Sequence, residues 1–229
     1  MRMIVEIIAT TLSEAKTAEQ AGADRIELIT AFQEGGLTPS YGLIATVIKE
    51  LQIPVNVMVR PHSCSFVYQE DDLNTMREDI RTIRELGAAG IVIGCLTPER
   101  TIDVDALELL LDEAKGLDVT FHRAFDEVAD QGQAIEVLMR YPQITRVLTS
   151  GGKKSVLDAV SEITALVSRT NGSDLSIMAG SGLTVEAVAG FIKQTGVTEI
   201  HFGSGVRYDQ DVRKPIDPSK IEGLKRLGR

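Results

Sequence analysis

Eight short apolar runs, rich in valine and isoleucine, recur along the 229-residue chain, and each ends in polar residues or glycine. The runs span residues 4–10, 25–29, 54–60, 90–96, 118–123, 146–151, 176–182 and 199–205. Segments of helical character separate them, as expected for buried parallel strands joined by crossover helices. Eight such units predict a single-domain (β/α)8 TIM barrel over residues 1–229, with its functional residues at the carboxyl ends of the strands.

The helices are predicted from apolar periodicity and from their start and stop signals. They span residues 11–21, 39–51, 73–86, 104–115, 134–139, 155–168 and 185–194. A last helix runs to about residue 227, with Asp217 as its N-cap and Pro218 as its first residue.

The composition of the chain argues against several classes of function. A net charge of −9 argues against a nucleic-acid-binding protein, which needs a basic face. No apolar run is long enough to span a bilayer, and the N-terminus lacks the layout of a signal peptide. The two cysteines, Cys64 and Cys95, suggest no disulfide framework. We therefore expect a cytoplasmic protein without nucleic-acid or membrane partners.

Side-chain parity identifies the polar residues that should face the barrel interior. In the third run the valines at 55, 57 and 59 share one face, so the alternating face carries Arg60 inward. The same rule turns four further polar side chains inward: Glu6, Glu27, His122 and His201. Because buried charges must pair or bind something, this cluster is the predicted site.

The cluster allows two kinds of chemistry. As a metal site, Glu6, Glu27, His122 and His201 would suit zinc, manganese, iron or copper(II), and Cys64 and Cys95 are softer candidates for copper(I). As an acid–base site, the catalytic candidates are His122, Glu27, Arg60, Arg123 and Asp126, with the arginines holding an anionic substrate. A Schiff-base mechanism is disfavoured because no predicted strand contains a lysine.

Glycine-rich turns predict an anion site. Barrels often hold a phosphate between the loops after the seventh and eighth strands, where backbone N–H groups converge. The candidates here are Gly180 and Gly182, Gly203 and Gly205, with Ser150 and Gly151 after the sixth strand. Glycine also relieves tight backbone geometry in such turns.

Two structural alternatives remain open. Glu6 and Glu27 can form structural ion pairs with Arg60 and Arg25, and Asp126 can be a helix cap. A noncatalytic partner-binding barrel would need a large exposed apolar patch, and none is obvious.

Five ordered motifs resemble the CutC copper homeostasis family. They are GADRIEL at 22–28, GGLTPS at 35–40, MVRP at 58–61, TFHRAFD at 120–126 and LTSGG at 148–152. The resemblance extends from the first strand to His201. It implies a cytoplasmic TIM barrel linked to copper handling, with copper as the bound metal and a homodimer as a plausible assembly.

The chain departs from the family pattern at two cysteine positions. Many relatives carry cysteine after the first-strand Glu-Val and after Ile-Glu-Leu in the second strand, where this sequence has Ile8 and Ile29. Those cysteines would be the natural thiolate ligands of copper(I). The common RPRGGDF loop reads RPHSCSF here, so that His62 and Cys64 enter it. The resulting hypothesis is copper or another small ligand bound at the strand ends, and the alternative is a metal-independent enzyme acting on a phosphorylated or carboxylated metabolite.

Overall fold

The computed structural model describes residues 3–227 and confirms the predicted barrel. The strands are β1 Ile4–Ala9, β2 Arg25–Leu28, β3 Val55–Met58, β4 Gly90–Ile93, β5 Asp118–Phe121, β6 Ile144–Thr149, β7 Ser176–Ala179 and β8 Glu199–Phe202. The helices are α1 Leu12–Gln20, α2 Tyr41–Glu50, α3 Glu70–Glu85, α4 Val104–Glu113, α5 Gln131–Leu138, α6 Val160–Thr170, α7 Val185–Thr195 and α8 Pro218–Leu227.

The strands form one closed parallel sheet in chain order. Closure occurs where β1 pairs with β8, from Ile4 opposite Glu199 to Ile7 opposite Phe202. The register between β5 and β6 shifts at Val119 and Thr120. A closed barrel leaves no strand edge unpaired, and it brings the carboxyl ends of all eight strands to one face.

Two apolar clusters flank the sheet, as the alternation of side chains requires. The large one joins the outward residues of the strands, such as Val57 and Phe121, to the inner faces of the helices. The small one contains Ile29, Met58 and Val92, with Ile8 and Phe32 packed against it. Each fully buried side chain of this size contributes about 1.5–3 kcal/mol, so the outer layer supplies most of the hydrophobic stabilisation.

The helix starts follow ordinary capping chemistry. Thr11, Ser40, Asp103 and Thr184 each accept the N–H of the residue three positions later, which satisfies a donor that the first turn leaves unpaired. At the last helix, the Asp217 side chain accepts the Ser219 N–H at 3.0 Å. No helix between residues 3 and 227 is long and apolar enough to cross a membrane.

Three predicted helix starts were displaced. Helix α3 begins at Glu70 because Gln69 and Asp72 form a capping box, and α5 begins at Gln131 behind the cap Asp130. Helix α6 begins at Val160 instead of residue 155. Ser155 caps a separate 3-10 turn, Val156–Asp158, because its side chain accepts the N–H only two residues on.

Candidate functional site

A cavity of about 460 Å³ opens at the carboxyl ends of the strands. It is lined by Glu27, Arg60, His122, Arg123, Asp126 and His201 from the predicted site, together with apolar side chains from strand ends and loops. Glu6 is fully buried next to His201. The structure therefore brings the parity-predicted residues to one end of the barrel, although not into one cluster.

Glu6, Glu27 and His201 form the tightest group of these residues. One ligand atom from each lies within 4.8 Å of the other two. The His201 Nδ1 lies 2.8 Å from Glu6 Oε1, and its Nε2 lies 3.7 Å from Glu27 Oε2. All three side chains are buried, so their charges are screened little by water.

An arginine network supports this group from the amino-terminal side of the barrel. Arg25 donates through Nε to Glu6 and through Nη2 to Glu199 at 2.6 Å. Arg146 lies 3.3 Å from Glu199 and 2.8 Å from Asp118. The structural-pair alternative is thus correct for Glu6 with Arg25. Parity missed Glu199 and Arg146, although both precede inward residues by two positions.

The three groups titrate differently. Burial raises the pKa of Glu6, but Arg25 and His201 outweigh it and lower that pKa to about 2. Burial disfavours charged His201, yet Glu27 and Glu6 raise its pKa above the ordinary value. Burial raises the pKa of Glu27 to about 7 against the attraction of His201. Glu27 therefore holds its proton to a much higher pH than an ordinary carboxyl group does.

His122 lies outside the acidic group and is held differently. It caps the 3-10 turn Arg123–Glu127, with Nδ1 accepting the Ala124 N–H at 3.1 Å. Its Nε2 is buried and has no hydrogen-bond partner. Burial, followed by the charge of Arg60, lowers the pKa of His122 to about 3. The imidazole is therefore neutral at physiological pH.

Arg60 is a buried cation without an acidic partner. Its guanidinium donates to the carbonyl oxygens of Glu34 at 3.0 Å, Gly36 at 3.3 Å and Ser63 at 3.4 Å. It also lies over the Phe66 ring, 4.6 Å from the centroid. No carboxylate oxygen of residues 3–227 lies within 4.0 Å of it, and the expected pair between Arg60 and Glu6 or Glu27 does not form.

The glycine turn after β6 already holds a carboxylate of the chain. Asp126 accepts the N–H groups of Ser150 at 3.0 Å and Gly152 at 3.1 Å, while the Gly151 N–H donates to Thr149 Oγ1. The N–H groups of Ser150 and Gly151, predicted to bind an anion, are thus occupied. Asp126 also pairs with Arg123 at 2.8 Å, so it clamps this loop.

The turns after β7 and β8 are arranged differently. Gly180 donates its N–H to Thr149, whereas Gly182, Gly203 and Gly205 line the cavity. A side chain would not fit at Gly205, because an added Cβ would lie 2.3 Å from the Leu183 carbonyl oxygen. At Gly203 an added Cβ would lie 2.6 Å from the Phe32 ring. Close packing against backbone therefore requires glycine at 205, whereas a side chain at 203 would require the Phe32 ring to move.

Neither cysteine reaches the cavity. Cys64 is exposed on its loop, and Cys95 is buried with its thiol directed to the Asp103 carbonyl oxygen at 3.5 Å. Burial raises the pKa of the Cys95 thiol, so it stays protonated. Ile8 and Ile29, which stand where the family resemblance implies cysteine, do line the cavity.

Phe32 is a cavity residue that the sequence did not single out. It lies in the 3-10 turn Phe32–Glu34 between β2 and α2 and packs on the inner apolar cluster. The buried Arg207 guanidinium lies 5.2 Å from its ring centroid. The length of the loop at 31–39 marked this segment, but nothing in its composition identified Phe32 as part of the wall.

Comparison with known proteins decides the family. A sequence profile described as the CutC family matches residues 3–206. The chain belongs to the CutC family. A CutC family protein of Pasteurella multocida is 40% identical over 209 residues, which cover 91% of this chain and 85% of the relative. The solved CutC of Streptococcus agalactiae, named for copper homeostasis, has 35% identity and a TM-score of 0.81, and covers 87% of this chain and 97% of its own.

More distant barrels share only the fold. The phosphoribosyl anthranilate isomerase of Thermococcus kodakaraensis superposes with a TM-score of 0.65 at 18% identity, covering 99% of each chain. At that identity the similarity shows only that this CutC protein has a TIM-barrel fold. It says nothing about activity, because one barrel architecture supports many unrelated activities.

Proposed function

We propose that the cavity of this CutC protein binds a small organic anion carrying a phosphate or carboxylate group. The observation that supports this function is Arg60, which lines the cavity as a buried cation without an acidic partner. A buried charge is costly unless it is compensated, and the carbonyl groups around Arg60 supply dipoles but no counter-charge. An anionic ligand would complete the site.

The remaining walls suit an organic anion better than a bare inorganic ion. Glu27 Oε1 and His122 Nε2 are buried and have no hydrogen-bond partner, so a ligand has polar contacts to make. Ile8, Ile29 and Phe32 supply apolar surface for a carbon skeleton. This combination of apolar walls and a few polar groups is typical of small-molecule sites.

Replacing Arg60 with glutamine tests this function. We expect 2-phosphoglycolate to bind the wild-type protein and to bind Arg60→Gln about ten- to a hundredfold more weakly, because a charge-assisted hydrogen bond is lost. Calorimetry measures both affinities, and circular dichroism confirms folding. Arg169→Gln, on the exposed side of α6, is the matched control. Equal affinity in Arg60→Gln and wild type would contradict the proposal.

A divalent cation at Glu6, Glu27 and His201 is the second candidate, supported by their three closely spaced ligand atoms. Oxygen and imidazole donors suit zinc, manganese or copper(II). They do not suit copper(I), which prefers sulfur, and Met58 supplies the only sulfur among the cavity-lining residues. We therefore expect no tight copper(I) binding in this cavity.

Copper binding is testable separately from anion binding. In anaerobic competition with a chromophoric chelator, we expect weak copper(I) binding by the wild type and much tighter binding by Ile8→Cys/Ile29→Cys, which places two thiols in the cavity wall. Tight wild-type binding that Cys64→Ser removes would contradict this expectation and place copper at the exposed loop. Titration with zinc and copper(II), with Glu27→Gln as the variant, tests the divalent site.

We also propose a cytoplasmic location, because Cys64 and Cys95 are free thiols, as is usual in a reducing compartment. A homodimer stays a prediction, which analytical ultracentrifugation tests.

A further inference from the structure

We propose, on the basis of the anion-binding function above, that this cavity catalyses proton transfer at a carbon adjacent to a carbonyl group. Glu27 is the base, and the His122 Nε2–H is the hydrogen-bond donor to the carbonyl oxygen. The substrate class is a small α-hydroxy aldehyde or ketone that carries a phosphate or carboxylate group.

The hydrogen bond at the other ring nitrogen assigns the proton of His122. Nδ1 accepts the Ala124 N–H at 3.1 Å, so Nδ1 carries the lone pair and the proton of the neutral ring resides on Nε2. Nε2 is buried without a partner in a residue that lines the cavity. A buried donor without an acceptor is the feature expected where a substrate oxygen binds.

The surroundings of His122 keep this donor neutral. The charged groups that face the ring are the guanidinium groups of Arg60 and Arg123, and its aromatic neighbours are Phe66 and Phe121. No acidic side chain of residues 3–227 forms an ion pair with it. A neutral imidazole holds its proton until charge develops on the substrate oxygen, and it then stabilises that oxygen without a prior positive charge.

Glu27 is the cavity carboxylate best placed to act as the base. Glu34 and Glu127 also line the cavity but are exposed, and Asp126 is occupied by the amides after β6. Glu27 is 2% exposed, and its Oε1 has no hydrogen-bond partner. It comes from β2 and His122 follows β5, so the two approach a ligand from different sides of the barrel.

The reaction is balanced without a co-reactant. The Glu27 carboxylate removes a proton from the hydroxyl-bearing carbon, and the C–H electron pair forms the C=C bond of an enediolate. The carbonyl π electrons move to the oxygen, which the His122 Nε2–H stabilises and then protonates. The imidazolate recovers a proton from the neighbouring hydroxyl, and the protonated Glu27 delivers its proton to the former carbonyl carbon. The net result is interconversion of a ketone and an aldehyde.

The first experiment observes His122 directly. The chain contains three histidines, His62, His122 and His201, so single variants assign every imidazole signal in a ¹⁵N NMR spectrum. We expect the His122 ring to remain the neutral Nε2–H form from pH 5 to pH 8. Titration of His122 near its ordinary pKa, or a proton on Nδ1, would overturn the proposal.

The second experiment observes the chemistry. In D₂O, we expect the wild type to exchange the α-protons of dihydroxyacetone phosphate or ribulose 5-phosphate, followed by ¹H NMR. Glu27→Gln should lower the rate about 10²–10⁴-fold. His122→Asn, which keeps the cap but places no donor at the position of Nε2, should lower it about 10²–10³-fold, and His122→Gln should restore part of the rate. His62→Asn is the control that should leave exchange unchanged.

Binding of 2-phosphoglycolate separates the two proposals. If the wild type binds it and exchanges no proton of either probe, the carbonyl chemistry is overturned and the anion-binding function stands. If the wild type binds none of the three phosphorylated compounds, both the anion-binding function and the carbonyl chemistry are overturned. Exchange that persists in Glu27→Gln would instead remove Glu27 from the role of base.

Discussion

Replacing Arg25 with methionine is expected to lower the free energy of unfolding by about 3–5 kcal/mol. Arg25 lies between Glu6 and Glu199 inside the barrel, and these three side chains are almost entirely buried. Methionine fills similar volume but leaves two carboxylates without their main cation. Removing one partner of a buried network costs more than the pair contributes, because the remaining charge has no water to solvate it.

Urea denaturation measures this loss of stability, and two further variants serve as controls. Lys16→Met breaks the pair with Glu50 on the surface, where both side chains are about two-fifths exposed, and should change stability little. Arg25→Met/Glu6→Gln removes one stranded charge and should recover part of the loss. A destabilisation by Arg25→Met as small as that by Lys16→Met would show that the barrel interior is more hydrated than this structure indicates.

The second large effect is a loss of folding stability at acidic pH that is due to His122. The unfolded chain binds a proton at His122 near pH 6.5, whereas burial and Arg60 lower the native pKa to about 3. Below pH 6.5 the unfolded state therefore holds a proton that the native state lacks. The stability due to neutral His122 is complete above pH 6.5 and is lost progressively as the pH falls towards 3.

His122→Asn should remove this part of the acid sensitivity. Asparagine can still accept the Ala124 N–H but does not titrate. Relative to this variant, the wild type should lose about 2 kcal/mol more stability between pH 7 and pH 5. Urea denaturation at several pH values gives both curves, and the shared contributions of Glu6, Glu27 and His201 cancel in their difference. Arg60 and Arg123 are unchanged in both proteins. Parallel curves would mean that His122 titrates normally.

Parity predicted five inward polar residues, and all five are buried at or next to the cavity. The same rule applied to the first residue of each run would have added four charged residues: Arg25, Asp118, Arg146 and Glu199. It could not separate His122 from the group of Glu6, Glu27 and His201, because alternation determines which face a side chain lies on and not its height along the barrel. The sequence also could not show that the Ser150 and Gly151 N–H groups, predicted to bind an anion, are occupied by Asp126 and Thr149 side chains. Only folding brings Asp126 to this turn.

The amino-acid sequence by itself determined the (β/α)8 architecture, the capped helices and the inward set of side chains, because these follow from local periods of two and 3.6 residues. Tertiary structure alone decided which inward groups meet. The stagger of the closed sheet places Glu6 opposite Arg25 and His201 in the neighbouring strands, where they neutralise one another. The same fold leaves Arg60 and His122 facing the cavity without an acidic partner. The sequence could not show which charges are compensated, because compensation depends on distances between residues far apart in the chain.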